Sequence, residues 1–221
     1  MQHIKNVPKS AEGFPGYLQE ALALEMDVND WIEQKLGWLQ ALPVLEKTVF
    51  PYLNQDAIVC ELGPGTGRHA RHLLARLPVG EIHLVDKSFW IINFLSNYFK
   101  ANPNVHLYHS NGLSLPIRNN NWADLAMSFG TFIELNLGLF HLYSREFFRV
   151  LKPRGYCVLN YLDISTDVGW RHLETNSRLY GNTFTYHSPA VVDKIFTSAG
   201  FEIVTRIQMT NTYLICRKPS A

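Results

Sequence analysis

The chain has 221 residues, enough for one α/β domain with a sizeable core and some additional segments. Its 20 Lys and Arg residues balance 19 Asp and Glu residues, so no net field would attract nucleic acid or an acidic membrane. The polar N-terminus lacks the apolar core of a signal peptide, and no apolar run is long enough to cross a bilayer, so we expect a cytoplasmic protein.

The cysteines and histidines show no metal-binding pattern. Cys60, Cys157 and Cys216 each fall inside a predicted strand without a C-x-x-C pair, so we expect three small buried residues. His69 and His72 have helical spacing but no nearby acid or third ligand, so the sequence predicts that they lie on a helix surface. We therefore predict no metal site.

Three helices are predicted before the first strand. A loose polar arm covers residues 1–16. Apolar spacing then predicts two short helices within residues 17–39, with a break near Asp27, and a third helix over residues 43–52. These 52 residues are interpreted as an N-terminal arm and helical lid, followed by one domain over residues 53–221.

The lid hypothesis follows from the position of these helices in the chain. In an open α/β fold the ligand lies beyond the carboxyl ends of the strands, where a preceding helical segment could cover it. Under this hypothesis Tyr17 and Trp31 face the substrate. The alternative, which is favoured for Trp38, is that these aromatic residues only pack the helices onto the sheet.

A glycine-rich turn follows the first strand. The apolar run 57–60 ends at Glu61, and three glycines come at alternate positions: Gly63, Gly65 and Gly67. A helical pattern then begins. Glycine tolerates positive φ and leaves room for a ligand pressed on the main chain, although a tight loop without a ligand uses it too. A dinucleotide-binding turn would require glycine at position 68, where Arg68 stands, so a nicotinamide-dependent oxidoreductase is disfavoured.

The E-x-G-x-G-x-G pattern of residues 61–67 resembles the first motif of the class I S-adenosylmethionine-dependent methyltransferases. The resemblance implies that S-adenosylmethionine is the cofactor and that Glu61 and the three glycines help to bind it. It also implies an α/β, Rossmann-like three-layer sandwich with a seven-stranded, mostly parallel sheet. The expected strand order is 3-2-1-4-5-7-6, with strand 7 antiparallel.

The second predicted strand, residues 81–86, ends in Asp86, 19 residues beyond Gly67. A carboxylate there can accept hydrogen bonds from both ribose hydroxyls of a nucleoside lying over the turn. The alternative is that Asp86 caps the next helix. That helix, over residues 88–100, is predicted to turn four apolar residues inward: Phe89, Ile92, Leu95 and Phe99.

Two further stretches complete the predicted cofactor site. After the third strand, residues 105–109, the resemblance implies that Asn111 meets the adenine amino group, with Gly112 and Leu113 beside the ring. The family more often has Asp at that position, but an Asn carbonyl oxygen also accepts a hydrogen bond; the alternative is a polar turn. The fourth strand, residues 122–128, ends at Ser128, which is expected to touch the methionine part of the cofactor.

The remaining chain follows the same family pattern. A helix is predicted over residues 139–151, and the phrase R-V-L-K-P-R-G at residues 149–155 is common in family members that act on small molecules. Residues 163–187 form an insertion rich in aromatic residues, interpreted as a substrate-facing cap that includes Trp170 and Tyr186. A helix capped by Ser188 and two antiparallel strands end the domain.

The methyl group of a sulfonium is already electrophilic, so the enzyme has to orient a nucleophile and exclude water. Glu134 and His141 follow the fourth strand and are the candidate bases, and Tyr161 is a candidate for the pocket lining. The alternatives are a helix-surface position for Glu134, a capping or core position for His141, and transfer by proximity alone.

The acceptor class is predicted by elimination. The sequence lacks a D/N-P-P-Y tetrad, a Pro-Cys nucleophile, a paired-glutamate loop and an acid cluster for magnesium. A small organic acceptor with an N or O nucleophile remains, with no nucleic acid or membrane partner expected and the oligomeric state left open. The alternative is a non-catalytic member of the fold that binds S-adenosylmethionine or a partner.

Overall fold

The architecture was analysed in a computed structural model that describes residues 13–35, 40–117, 119–177 and 184–220. Two predictions, the polar arm up to residue 12 and the packing of Trp38, lie outside these residues. No helix within the described ranges is both long and apolar enough to span a membrane.

Eight strands form one sheet. Their bounds are β1 Ile58–Leu62, β2 Glu81–Asp86, β3 Val105–His109, β4 Ala123–Ser128, β5 Leu151–Asp163, β6 Tyr186–His187, β7 Glu202–Gln208 and β8 Thr212–Arg217. The order is β3-β2-β1-β4-β5-β8-β7, with β6 paired beside the end of β5. The pairs among β1 to β5 are parallel, and β8 is antiparallel to both neighbours. The predicted order is confirmed, with the two-residue β6 as an addition.

Helices cover both faces of this sheet. Their bounds are α1 Gly13–Ala23, α2 Val28–Lys35, α3 Ala41–Thr48, α4 Ala70–Arg76, α5 Phe89–Tyr98, α6 Leu137–Val150, α7 Asp167–Asn176 and α8 Pro189–Ser198. Apolar residues of α3, α4 and α5 pack in one core, and those of α6 and α8 pack in the other. The three-layer arrangement is therefore confirmed.

The central strands contribute to both cores because successive side chains point to opposite faces. In β1, Val59 belongs to one core and Cys60 to the other, and both are fully buried. In β4, Leu125 belongs to the same core as Val59, and Ala126 belongs to the same core as Cys60. A parallel strand that is buried on both faces has a continuous apolar sequence, which explains the uninterrupted run before Glu61.

The N-terminal helices break where the sequence predicts. Asp27 precedes α2, and its Oδ1 accepts hydrogen bonds from the backbone N–H groups of Asn29 and Asp30, at 2.8 and 3.3 Å. These bonds satisfy donors that the first helical turn leaves open, so Asp27 restarts the helix after the break.

Four expectations are corrected. Phe89 is 70% exposed, and the inward positions of α5 are Ile91, Leu95 and the following Phe99, which recur every four residues. The insertion holds a helix, α7, that the sequence analysis did not predict. Ser188 precedes α8, but its side chain makes no capping bond. His69 is buried rather than on a helix surface.

We expect Gly63→Ala to destabilise the protein more than Gly130→Ala does. Both glycines have positive φ, 69° and 83°, so both substitutions strain the backbone by about 1–2 kcal/mol. A Cβ at position 63 would also overlap the Thr131 side chain, whereas a Cβ at position 130 meets open space. Urea unfolding of the two variants measures the difference, and equal stabilities would contradict the packing of this turn.

Candidate functional site

The carboxyl ends of β1, β2 and β4 meet at one edge of the sheet, because these strands are parallel neighbours. The turn after β1 begins at Gly63, whose N–H donates to the Val85 carbonyl at 2.8 Å. Gly63, Gly65 and Gly67 have φ values of 69°, 55° and 78°, a region that favours glycine. A Cβ at Gly67 would lie 2.7 Å from the Phe99 ring, so this glycine also lets the turn pack against the end of α5.

Glu61 carries an unpartnered carboxyl group directly before this turn. The residue is fully buried, and neither side-chain oxygen has a hydrogen-bond partner among the described residues. Burial raises the pKa of Glu61 to about 8, although the Arg68 guanidinium acts in the opposite direction. An unsatisfied buried polar group costs about 1–3 kcal/mol of stability. A ligand that offers Glu61 a hydrogen-bond donor or a cation would therefore gain binding energy.

The closest titratable neighbour of this carboxyl group is His69, whose Nδ1 lies 3.7 Å from Glu61 Oε1. Burial, together with the Arg68 charge, lowers the pKa of His69 well below its ordinary value. At neutral pH the imidazole is therefore uncharged, and the two groups do not form an ion pair. The ring of His69 also packs edge-on against Phe129, with 5.0 Å between centroids.

Asp86 lies half-buried at the end of β2, beside the turn. Its Oδ1 accepts a hydrogen bond from the Ser88 N–H at 2.7 Å. Burial raises the pKa of Asp86, and the Ser88 N–H and the Lys87 charge oppose that shift. The capping position of α5 belongs to Ser88, whose Oγ accepts from the Ile91 N–H at 3.4 Å.

Asn111 and its neighbours form a turn after β3. Asn111 Oδ1 accepts hydrogen bonds from the backbone N–H groups of Leu113 and Ser114, at 2.9 and 3.1 Å. Gly112 has a φ of 78° and donates its N–H to Ser110 Oγ. Leu113 is 54% exposed. The polar-turn alternative is thus present in the structure, and the contact of Asn111 with adenine stays a prediction.

Ser128 lies beneath the glycine turn rather than on its surface. It is fully buried, and its hydroxyl donates to the Leu62 carbonyl at 2.8 Å. The side chain therefore offers no free hydroxyl to a ligand, and the contact of Ser128 with the cofactor stays a prediction. The role of this hydroxyl is to tie the end of β4 to the end of β1.

Two supporting residues were missed by the sequence analysis. Asn160, buried in β5, accepts a hydrogen bond from the Gly130 N–H through Oδ1 at 2.8 Å, which holds the segment after β4. Tyr143 is buried on α6; burial raises its pKa, and a hydrogen bond to Ser110 lowers it. Neither residue belongs to a recognisable sequence motif, because each is distant in the chain from the residue that it contacts.

The predicted acceptor-side residues occupy different environments. Glu134 ends a short 3-10 turn, Phe132–Glu134, that directly follows the segment after β4. Burial raises the pKa of Glu134, and the Lys87 charge lowers it, so these two groups from adjacent loops influence each other. His141 is exposed on the second turn of α6.

Tyr161 does not line an open pocket. It is fully buried in the core that α6 and α8 cover, and its hydroxyl donates to Asp163 Oδ2 at 3.5 Å. Burial and the Asp163 charge raise the pKa of Tyr161 to about 12. The expected pocket role is corrected because β5 turns this side chain inward.

The insertion after β5 is attached next to Glu134. The Thr185 N–H donates to the Ile133 carbonyl at 2.7 Å, and the Thr185 hydroxyl donates to the Leu135 carbonyl at 2.8 Å. The strand β6 that follows pairs with the end of β5. This places the insertion at the carboxyl ends of β4 and β5, the same edge as the glycine turn.

The insertion presents polar and aromatic groups at this edge. Trp170 on α7 is 52% exposed. His172 Nδ1 and the Tyr186 hydroxyl are hydrogen-bonded at 2.9 Å, and the Phe184 ring meets the His172 ring edge-on at 4.9 Å. Burial lowers the pKa of His172, so its imidazole is neutral at neutral pH.

Helix α2 lies directly on the glycine turn. Asn29 donates to the Thr66 carbonyl at 3.1 Å and accepts from the Thr66 hydroxyl at 2.5 Å. Arg71 pairs with Asp30 at 2.7 Å, and Arg68 pairs with Glu33 at 3.5 Å. The helical segment thus contacts the residues that shape the turn.

The aromatic residues of this segment pack the helices together. Trp31 is only 5% exposed and stacks on the half-buried Tyr17, with 5.3 Å between ring centroids. Trp31 shares a small core with Ala21, Val28 and Ile32. The expectation that Trp31 faces the substrate is corrected in favour of docking, and the lid hypothesis for Tyr17 stays a prediction.

Comparisons with known proteins agree with this geometry. Residues 59–155 match the sequence profile of a family described as "Methyltransferase domain". No curated protein sequence is significantly similar to the chain.

Three solved structures illustrate the similarity of the fold. A chain from the complex between the Haloferax volcanii Trm112 methyltransferase activator and a methyltransferase has a TM-score of 0.69 and 16% identity, covering 86% of this chain and 93% of that chain. Human N-acetylserotonin methyltransferase in complex with S-adenosylmethionine has a TM-score of 0.65 and 15% identity, covering 87% and 56%. The [4+2]-cyclase SpnF has a TM-score of 0.64 and 16% identity, covering 82% and 81%.

The family match includes the glycine turn and Asp86, and the fold around them is similar to that of solved methyltransferases. The unpartnered Glu61 and the three positive-φ glycines fit the cofactor that this family uses. Residues 59–155 thus match a methyltransferase-domain family, and the described chain has the fold of solved methyltransferases.

Proposed function

We propose that the protein transfers the methyl group of S-adenosylmethionine to a small organic acceptor through a nitrogen or oxygen nucleophile. The observation that carries this proposal is the attachment of the aromatic insertion beside Glu134, at the sheet edge that holds the glycine turn. A cofactor over the turn would therefore have its reactive end close to a segment that can enclose a small molecule.

The cofactor roles are assigned by chemistry. Glu61 meets the methionine ammonium group, because it is the unpartnered buried carboxyl group next to the turn. Asp86 accepts hydrogen bonds from the ribose hydroxyls at the end of the adjacent strand. The turn at Gly63, Gly65 and Gly67 supports the nucleoside, and Asn111, Gly112 and Leu113 border the adenine. When bound, the cofactor supplies an electrophilic methyl group on a sulfonium.

A small acceptor is supported by the composition of the insertion. Trp170, His172 and Tyr186 offer flat apolar faces together with hydrogen-bonding tips, a combination suited to an organic molecule with a few polar groups. A similar structure bears the name of a methyltransferase for N-acetylserotonin, which is itself a small molecule. The nearly balanced charge of the chain gives it no net attraction for nucleic acid.

The base, where the acceptor needs one, is assigned first to Glu134. It ends the 3-10 turn that follows the segment after β4, and its raised pKa makes it a stronger proton acceptor than an ordinary carboxylate. His141 is the second predicted base, and His172 joins the candidates because its neutral ring belongs to the insertion. Transfer by proximity alone needs none of them.

The alternative is a member of the fold that binds the cofactor, or a partner, without transferring a methyl group. The similarity to a structure named as a [4+2]-cyclase favours keeping it, because that name describes a different reaction. A methyltransferase moves the methyl group of S-adenosylmethionine to an acceptor, whereas a protein that only binds the cofactor does not. An experiment that follows a tritium label on that methyl group therefore separates the two functions.

The test combines calorimetry with tritium transfer. We expect the parent protein to bind S-adenosylmethionine in preference to NADH, and to move tritium from its methyl group to one member of a panel of amines, phenols and carboxylic acids. Asp86→Ala should weaken binding about 10- to 100-fold, since a hydrogen bond to a charged group is worth about 1.5–3 kcal/mol. Asp56→Ala, an exposed aspartate before β1, is the control.

Each outcome of this test bears on one part of the proposal. Unchanged affinity in Asp86→Ala would contradict the ribose assignment. Binding without transfer to any acceptor would favour the non-catalytic alternative.

Glu61→Gln should stabilise the protein in a pH-dependent way while it weakens cofactor binding. Burial raises the pKa of Glu61 from 4.5 to about 8, so the folded protein retains a proton that the unfolded chain releases. The parent therefore loses stability as the pH rises from about 4.5 to about 8, by on the order of 5 kcal/mol relative to the variant. Urea unfolding across this pH range, with the exposed Glu46→Gln as control, measures the effect. A pH-independent difference would contradict the assigned burial.

Glu134→Gln should slow transfer by about 100-fold for an acceptor that must lose a proton, with unchanged affinity for S-adenosylmethionine. Because the pKa of Glu134 is raised, the transfer rate of the parent should fall as the pH drops through that raised value. This fall on the acidic side of the pH–rate profile should be absent in the variant. His141→Ala and His172→Ala, measured over the same pH range, assign the role if Glu134→Gln retains the parent profile.

A further inference from the structure

A second polar cluster lies at the opposite end of the sheet from the cofactor site. Glu81 begins β2, His83 follows two residues later, and His106 lies on the neighbouring β3. Residues two apart on a strand share a face, and His83 pairs directly with His106 in the β2–β3 register. All three side chains therefore project from the same face of two adjacent strands.

The polar atoms of this cluster lie close enough to share one ion, and His83 and Glu81 are hydrogen-bonded to each other. His83 Nε2 lies 2.9 Å from Glu81 Oε2, and His106 Nε2 lies 3.7 Å from the same oxygen. One ligand atom from each residue fits within 4.8 Å of the others. Tetrahedral zinc with bonds of about 2.0–2.1 Å separates its ligand atoms by roughly 3.4 Å, which falls between the two measured distances.

We propose that Glu81, His83 and His106 bind a divalent transition-metal ion of the zinc type. Two imidazoles and one carboxylate form a donor set that suits Zn²⁺ and leaves a fourth position for water. The two rings are stacked, with centroids 4.4 Å apart, so His106 turns about its side-chain bond to aim its nitrogen at a shared ion. The 40% exposure of its side chain leaves room for that rotation.

A second layer of contacts supports the buried ligand. His83 Nδ1 is hydrogen-bonded to the Tyr108 hydroxyl at 3.0 Å, and the Trp122 ring packs edge-on against the imidazole at 4.2 Å. A metal-binding histidine usually donates its other ring N–H to such a partner, which orients the ring and selects the tautomer. Nε2 of His83 is then the atom that would bind the ion, which would replace the present hydrogen bond between Nε2 and Glu81 Oε2.

The cluster is accessible to an ion from solvent. The Glu81 side chain is 48% exposed, while His83 is almost fully enclosed. Cys60, Cys157 and Cys216 are fully buried and do not compete for the ion. Because β3 is the edge strand, an ion at this position would cross-link the edge of the sheet to β2 and stabilise it.

The prediction that the chain has no metal site rested on motif spacing along the sequence. His106 is far from Glu81 and His83 in sequence, and only the register of β2 against β3 brings it beside them. The inference concerns the end of the sheet opposite the methyl-transfer site, so it stands or falls independently of the proposed function.

Isothermal titration of the tag-free, chelator-treated full chain with Zn²⁺, in a buffer that does not bind metal, tests the site. We expect one equivalent to bind, and His106→Ala and Glu81→Gln each to weaken binding by more than the about 10- to 100-fold typical of a supporting residue. Tyr108→Phe should fall in that 10- to 100-fold range. His141→Ala, which removes an exposed imidazole elsewhere, should bind as the parent does.

Four further readouts control for misfolded variants and non-specific binding. Co²⁺ should give the parent the intense visible bands of a tetrahedral site, and Zn²⁺ should raise the melting temperature of the parent but not of His106→Ala. Far-UV circular dichroism and affinity for S-adenosylmethionine should be unchanged in both exposed-ligand variants. Equal Zn²⁺ affinity in the parent and in His106→Ala, or no binding by the parent, would overturn the proposal.

Discussion

The site depends on the bend at Gly63, which is held from two sides by backbone contacts. Its N–H donates to the Val85 carbonyl on β2, and the carbonyl just before it, from Leu62, accepts the Ser128 hydroxyl of β4. The bend is thus tied to both neighbours of β1, and the Thr131 side chain fills the space that a Cβ would need. This order around the turn is built by the protein itself, so a ligand does not have to supply it.

Within this rigid frame, one group is left without a partner. Glu61 is enclosed by the strands that hold the bend, and burial keeps the pKa of its carboxyl group far above the ordinary value. The neighbouring His69 is neutral and too distant for a good hydrogen bond. A polar group that lowers stability in this way is characteristic of binding sites, where a ligand supplies the missing interaction.

The N-terminal helices are attached to the same glycine turn by hydrogen bonds. Asn29 of α2 exchanges two hydrogen bonds with Thr66 at the centre of the glycine turn and a third with the Tyr98 hydroxyl of α5. Tyr98 in turn donates to Asp27 at the start of α2. Under the proposed function, cofactor binding over the turn and docking of the helices would act on shared residues, which would couple their free energies.

The sequence by itself determined the central strands, the glycine bend and the acid at the next strand end, because local patterns encode them: apolar runs buried on two faces and alternate glycines. The strand order came from the resemblance to a known family. Other features required the tertiary structure. The enclosure of Ser128, Tyr161 and Trp31 depends on which face each side chain takes. Helix α7 is short and mostly polar, so its sequence resembles that of a loop. The pairing of His83 with His106 exists only through strand register. Such contacts join residues far apart in the chain, and no local pattern records them.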